Sequence, residues 1–154
     1  YILSAKDEGC VFCQMLEAND DREKLILQRG EHAFLVLNLY PYNNGHLMSV
    51  PYRHVDSLEK LDPAEMTGMM ALVALGIRAL RKTMAPEGFN VGFNIGKVAG
   101  AGVKDHVHCH VVPRWNGDTN FMPVLAEVRT IPESLPDTYD KLKAAIDELT
   151  QDNA

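Results

Sequence analysis

The sequence predicts an α+β sandwich, with strands through the middle of the chain and helices covering one side. Three observations lead there. The run His106-Val107-His108-Cys109-His110-Val111-Val112 alternates with the period of a strand. Met66, Met70, Val73, Ile77, Leu80 and Met84 step by four and three, the period of an amphipathic helix. Short β-rich segments lie on both sides of that helix, separated by turn residues.

The elements follow in chain order. Residues 1–9 are a polar lead-in, and Cys10-Val11-Phe12-Cys13 runs into a short helix-like stretch through Glu17. Residues 19–24 form a charged, solvated loop. Leu25 to Arg29 reads as a strand, Gly30-Glu31 as a turn, and Ala33 to Leu37 as the partner strand. Tyr40-Pro41-Tyr42-Asn43-Asn44-Gly45 is dense in turn residues. A third strand spans His46 to Pro51. Asp62-Pro63-Ala64-Glu65 then starts the long helix, with Asp62 as cap, Pro63 at N1 and Glu65 at N3. Its methionine stripe reads as core, and Pro86 and Gly88 end it. Phe89 to Ile95 is a fourth strand. A glycine-rich loop, Gly96 to Gly102, delivers the chain into the histidine strand, which Pro113 ends or edges. A C-terminal helix lies near Pro136 to Leu149. No repeat, low-complexity tract or second domain is visible.

Composition narrows the function. The 154 residues suffice for one domain with a core. Hydrophobic and charged shares of 46% and 23% are ordinary for a globular chain. The net charge of −6, from 15 basic and 21 acidic residues, argues against general nucleic-acid binding. It leaves room for a local basic pocket that holds phosphates. No apolar run approaches the ~20 residues of a membrane span, and no signal peptide is visible. The chain opens at Tyr1 rather than methionine, as a trimmed start would. Three cysteines make no disulfide framework, and reduced thiols suit the cytoplasm.

The histidine run carries the chemistry. On a strand, His106, His108 and His110 share one face, while Val107, Cys109 and Val111 face a core. A helix would separate neighbouring rings by about 200° and waste them. A tag would be contiguous and terminal, and surface clusters rarely alternate with Val, Cys and Val. A metal site on the three imidazoles is the remaining alternative. Cys10 and Cys13 allow three readings: a redox pair, half of a metal site, or two unrelated buried thiols. A thioredoxin-like pair should follow a strand in a βαβ unit, which is absent here.

The run resembles the motif of the histidine triad superfamily, His-φ-His-φ-His-φ-φ with φ apolar. Its continuation, Pro113-Arg114-Trp115-Asn116-Gly117-Asp118, resembles the Pro-Arg-x-x-Gly-Asp of the fragile-histidine-triad branch. The resemblance covers Cys10 to about Pro132. It implies a single HIT domain over residues 1–154, with an antiparallel sheet of about five strands, one long helix and one C-terminal helix. It also implies an enzyme that hydrolyses dinucleoside polyphosphates, such as diadenosine tetraphosphate, or transfers their nucleotidyl group. The route would be a covalent nucleotidyl-histidine. By position, His108 is then the nucleophile, His110 meets phosphate oxygens or the departing group, and His106 lies behind. Two-step covalent catalysis splits one difficult displacement into two, and phosphoryl chemistry rests mostly on positioning and charge stabilisation.

The same resemblance assigns substrate-binding residues. Asn38 lies seven residues before Gly45 and matches the branch's ribose-contacting asparagine. Asn94 falls one residue from the phosphate-contacting amide, because the loop is longer here. Where the family often carries Gln or Ser before the triad, this chain has Gly102-Val103-Lys104-Asp105. Lys104, or backbone N–H groups at Gly102 and Val103, would then serve the leaving group. His46 braces the substrate site, and His32 is structural or on the surface.

Many bacterial triad proteins and the galactose-phosphate uridylyltransferases hold zinc on a Cys/His set. The resemblance therefore implies structural zinc on Cys10, Cys13, His54 and His106, with no organic cofactor. The fragile-histidine-triad branch lacks the cysteine pair, so this chain combines a zinc-type N-terminus with a polyphosphate-type tail. The implied partners are a nucleotide and a second copy of the chain, with two sheets joined across a two-fold axis. No nucleic acid or membrane is implied. The segment Phe121 to Glu133 would cross to that copy or line the base pocket. Three other readings are a nucleoside phosphoramidate hydrolase, a nucleotide-sensing adaptor with incidental turnover, and a zinc hydrolase with all three histidines on the metal. The last requires strained geometry.

Overall fold

A computed structural model describes residues 9–118 and 133–153. The element order is α1 (Val11–Glu17), β1 (Ile26–Arg29), β2 (Ala33–Leu37), β3 (Leu47–Pro51), α2 (Pro63–Met84), β4 (Gly88–Phe93), β5 (Cys109–Arg114) and α3 (Leu135–Gln151). The five strands form one antiparallel sheet in the order β1-β2-β3-β5-β4. This is the expected α+β architecture, with one long and one C-terminal helix. The segment Phe121 to Pro132, expected at the partner or the base, lies outside the described residues.

The pleat sorts side chains onto two faces. Ala33, Leu35, Leu37, Leu47, Val107, Cys109 and Val111 join the core under α2 and α3. Phe34, Val36, Met48 and Val50 point the other way, where Phe12 and Met15 of α1 cover them. α2 lies across β2, β3 and β5, and α3 packs on α2 and β1. The Tyr139 hydroxyl donates to the Ile26 carbonyl at 3.0 Å, tying α3 to the sheet edge.

The long helix starts as expected, with Pro63 in its first turn and the Asp62 N–H donating to Glu65 Oε1 at 3.0 Å. Arg53 also grips Glu65, at 2.7 Å, and together with backbone donors holds its carboxyl down at about 2. Of the stripe expected as core, Val73 and Leu80 are buried, Met66, Ile77 and Met84 pack against the core, and only Met70 departs. Met70 is 47% exposed, whereas Met69, Leu72, Val73, Gly76, Ala79 and Leu80 are buried. Gly76 lies on this buried face, a position that a search for large apolar side chains passes over. A Cβ at Gly76 would sit 2.9 Å from Leu47 Cδ1. α2 is also long and apolar enough to cross a bilayer, with mean hydropathy 1.2, where the sequence reading found no such run. Here its buried face rests on the sheet.

The histidine strand begins later than expected. β5 opens at Cys109, so His106 and His108 sit in the extended approach to it. The alternation still holds. β5 also continues one residue beyond Pro113. Its pairing with β3 ends at Val111, so beyond it proline faces β4 alone.

Candidate active site

His106, His108 and His110 leave the sheet on the face opposite α2, and each ring is oriented by a different neighbour. His108 is 4% exposed, and its Nδ1 donates to the His106 carbonyl at 2.8 Å. A carbonyl only accepts, so the proton is on Nδ1 and the lone pair is on Nε2. His46 fixes His110. The Tyr42 N–H donates to His46 Nδ1 at 3.1 Å, and Asn38 Nδ2 lies 3.3 Å from the same atom. His46 therefore carries its proton on Nε2, which donates to His110 Nδ1 at 2.9 Å. The His110 proton is left on Nε2. The two rings meet edge to face at 4.8 Å with opposite tautomers, one offering a lone pair and the other an N–H.

Burial keeps both rings neutral. Desolvation lowers the pKa of His108, against the pull of its bond to His106. Desolvation first, and then the neighbouring His108, push His110 down to about 4. Between them, Cys109 faces the helix core, and burial raises its thiol to about 11, an inert state.

The two histidines line a cleft of about 320 Å³. Asn38, Gly102 and Val103, which were expected to bind substrate, line it too. His46 stands behind His110, fully buried and hydrogen-bonded to it. Asn94 follows β4, half-buried, away from the cleft wall. Lys104 is turned away as well, its Nζ held at 2.6 Å by Asp105. An exposed carboxylate on the next residue is a nearer partner than a cleft across the loop. Five wall residues were not among the expected site residues: Phe12, Tyr40, Tyr42, Met48 and Gly100. The tyrosines had a signal, two aromatic rings in a turn otherwise built from Pro, Asn and Gly. Tyr42 stacks at 5.9 Å on His110.

A clip braces the turn that carries Tyr42. Asp118 accepts from Arg114 at 2.6 Å and from Asn43 at 2.9 Å, and Asn43 also donates to the Pro113 carbonyl. Arg114 holds the Asp118 carboxyl well below the usual carboxylate range. The clip fastens the Asn38 to His46 turn to the end of β5.

The second constellation is Cys10, Cys13, His54 and His106, whose ligand atoms all lie within 4.8 Å of one another. His106 Nε2 donates to the Pro51 carbonyl at 2.8 Å, which leaves the lone pair on Nδ1. That atom is 3.3 Å from Cys10 Sγ and 3.8 Å from Cys13 Sγ, and His54 Nδ1 is 3.6 Å from Cys13 Sγ. These three of the six separations, 3.3–3.8 Å, match the edges of a tetrahedron with zinc–ligand bonds of ~2.0–2.3 Å. Two sulfurs, two imidazole nitrogens and a carbonyl fixing one tautomer fit such an ion. The redox-pair and unrelated-thiol readings explain neither histidine.

A HIT-domain profile matches residues 19–117. The chain is 48% identical over 118 residues to the AP-4-A phosphorylase of Mycobacterium tuberculosis, covering 77% of this chain and 60% of that protein. It therefore spans well under two thirds of that relative's length. It is 31% identical to an uncharacterised HIT-like protein of Methanocaldococcus jannaschii, over 71% of this chain and 81% of the relative. The crystal structure of a zinc-bound histidine triad family protein from Mycobacterium smegmatis superposes with a TM-score of 0.75 at 28% identity, covering 93% of this chain and 96% of that one.

Proposed function

The chain belongs to the histidine triad family, and from that premise we propose that it cleaves dinucleoside polyphosphates through a nucleotidyl-histidine on His108. The observation that carries this reading is the pair of opposed tautomers on one cleft wall. His108 Nε2 attacks the α-phosphorus. The bond from that phosphorus to the bridging oxygen breaks, and the leaving nucleotide departs with the electron pair. His110 Nε2–H is the hydrogen-bond donor beside it, with His46 behind. Asn38 and the backbone at Gly102 and Val103 hold the ribose and phosphates. Diadenosine tetraphosphate is the first substrate to consider, given the likeness to a protein named AP-4-A phosphorylase. That likeness favours phosphate as the acceptor that releases nucleotide from His108, giving ADP beside ATP. Water in the same role gives AMP beside ATP.

The Cys10, Cys13, His54 and His106 cluster holds zinc in this reading, supported by the donor set and by the zinc-bound relative. It lies behind the nucleophile and staples α1 to the sheet, a structural task. Two copies pair in this reading through β4, the exposed edge of the sheet.

The deciding experiment incubates the protein with diadenosine tetraphosphate, with and without phosphate, and separates the products by chromatography. ADP appearing only with phosphate supports the phosphorylase, and AMP in both arms supports a hydrolase. Retained nucleotide binding with negligible turnover of polyphosphates would overturn the enzyme reading in favour of an adaptor.

A further inference from the structure

Phe12, between Cys10 and Cys13, is buried against the sheet. Its ring is fully buried. It meets the His106 ring at 5.4 Å and the His108 ring at 5.1 Å, edge to face in both cases. Phe12 also forms part of the cleft wall. One side chain thus touches a ring of the metal cluster, the nucleophilic ring and the substrate cleft.

Among the described residues, the helix that carries it packs on the sheet mainly through this face. α1 is 7 residues long, and its N-cap Cys10 makes no side-chain capping bond. A helix of that length is not stable alone. Its position rests on burial of Phe12 and Met15 and on the two cysteines facing His54 and His106. The His108 ring is tied at Nδ1 to the His106 carbonyl, a bond that tolerates rotation about its axis. The Phe12 edge packs against this ring at 5.1 Å, beside the His110 ring at 4.8 Å. Asn38 and Tyr42, by contrast, belong to the turn held by Asn43 and Asp118, which does not involve α1.

We propose that Phe12 is a positioning residue that couples loading of the Cys10, Cys13, His54 and His106 cluster to the orientation of the His108 ring. The inference rests on the zinc reading above. With zinc in the cluster, α1 is seated and Phe12 holds His108 with Nε2 toward the cleft. With the cluster empty, α1 loosens, the Phe12 wall recedes and His108 samples unproductive orientations. Ground-state binding of nucleotide changes less, because Asn38, Tyr42 and the backbone at Gly102 and Val103, which share the cleft with Phe12, are not carried by α1. The signature is a fall in kcat with KM preserved.

The test begins with elemental analysis of the full chain, then compares wild type and Phe12→Leu, each zinc-loaded and chelator-stripped. Long-range ¹H–¹⁵N spectra report the histidine tautomers, calorimetry reports AMP affinity, and diadenosine tetraphosphate turnover gives kcat and KM. Loaded wild type should show His108 as a single Nδ1–H form. Stripping should mix or broaden that signal and lower kcat about 10-fold or more, with KM and AMP affinity within about twofold. Phe12→Leu should keep its zinc, show the stripped His108 signal while loaded, and change no further on stripping. Phe12→Met, which fills similar volume without a ring, serves if the leucine variant does not fold. A chain that takes up no zinc overturns the metal reading and the coupling with it. A chain that takes up zinc, with loaded and stripped His108 spectra alike, overturns the coupling alone. Equal effects of stripping on wild type and variant do the same.

Discussion

His46 and His110 form a direct imidazole–imidazole hydrogen bond, 2.9 Å from Nε2 to Nδ1, although 64 residues separate them. The bond makes sense only with the proton on His46, because His46 Nδ1 already accepts from the Tyr42 N–H. The backbone of one turn thereby dictates which nitrogen of His110 faces the cleft with a proton.

Replacing His46 should therefore damage catalysis without touching substrate. His46→Leu removes the donor and frees His110 to take either tautomer. The expected outcome is a fall in kcat of about 10- to 100-fold, the usual scale for a partner that orients an active ring. KM should be nearly unchanged. Steady-state kinetics check this, and an unchanged kcat would remove His46 from the relay.

His108→Asn should abolish turnover, by about 10³-fold or more, yet keep nucleotide affinity, because the nucleophile is lost and the cleft is not. Calorimetry with AMP and rapid quench for the nucleotidyl adduct separate the two effects. Turnover at the wild-type rate would sink the covalent route.

Stability should depend on pH through His110. Burial and His108 lower its pKa from 6.5 to about 4 in the folded chain, while the unfolded chain titrates near 6.5. Between these values the unfolded state binds a proton that the folded state refuses. The stabilisation is complete above about 6.5 and is lost as pH falls towards about 4. It amounts to roughly 2–3 kcal/mol, reduced from the full figure because the cleft is partly open to water. Urea unfolding of wild type and His110→Gln across that range should give curves that converge at the acid end. Parallel curves would refute the assignment.

Zinc removal should cost stability. An ion present at about 1,000 times its Kd adds about 4 kcal/mol by mass action. Cys13→Ser or chelation should lower Tm accordingly, with the loss restored by added zinc in wild type only. An unchanged Tm after complete stripping would show that the cluster does not staple the fold.

Gly45 should resist substitution. Its φ is +82°, and a Cβ would lie 2.8 Å from Leu80 Cδ2 and 2.9 Å from Met84 Sδ. Gly45→Ala combines left-handed strain with overpacking, about 2–4 kcal/mol in chemical denaturation. Because His46 follows directly, kcat should fall as well.

The sequence by itself determined whatever depends on local period and residue type. Alternation put His106, His108 and His110 on one face and Val107, Cys109 and Val111 on the other, since a strand reverses direction at each residue. The Asp62 to Glu65 start of the long helix was equally local. Cys10, Cys13, His54 and His106 were chosen through family resemblance, and the fold brings their ligand atoms together. Only the tertiary structure decided what depends on distant neighbours. The buried face of α2 turned on Gly76, where closeness to Leu47 matters more than side-chain size. Lys104 found Asp105 instead of the cleft. Phe12 met His108 because α1 folds over the open face of the sheet. The tautomers of the triad were settled by carbonyls of His106 and Pro51 and by the Tyr42 N–H. An imidazole has two nearly equivalent nitrogens, and choosing between them takes a partner at hydrogen-bond distance, which no spacing along the chain can specify.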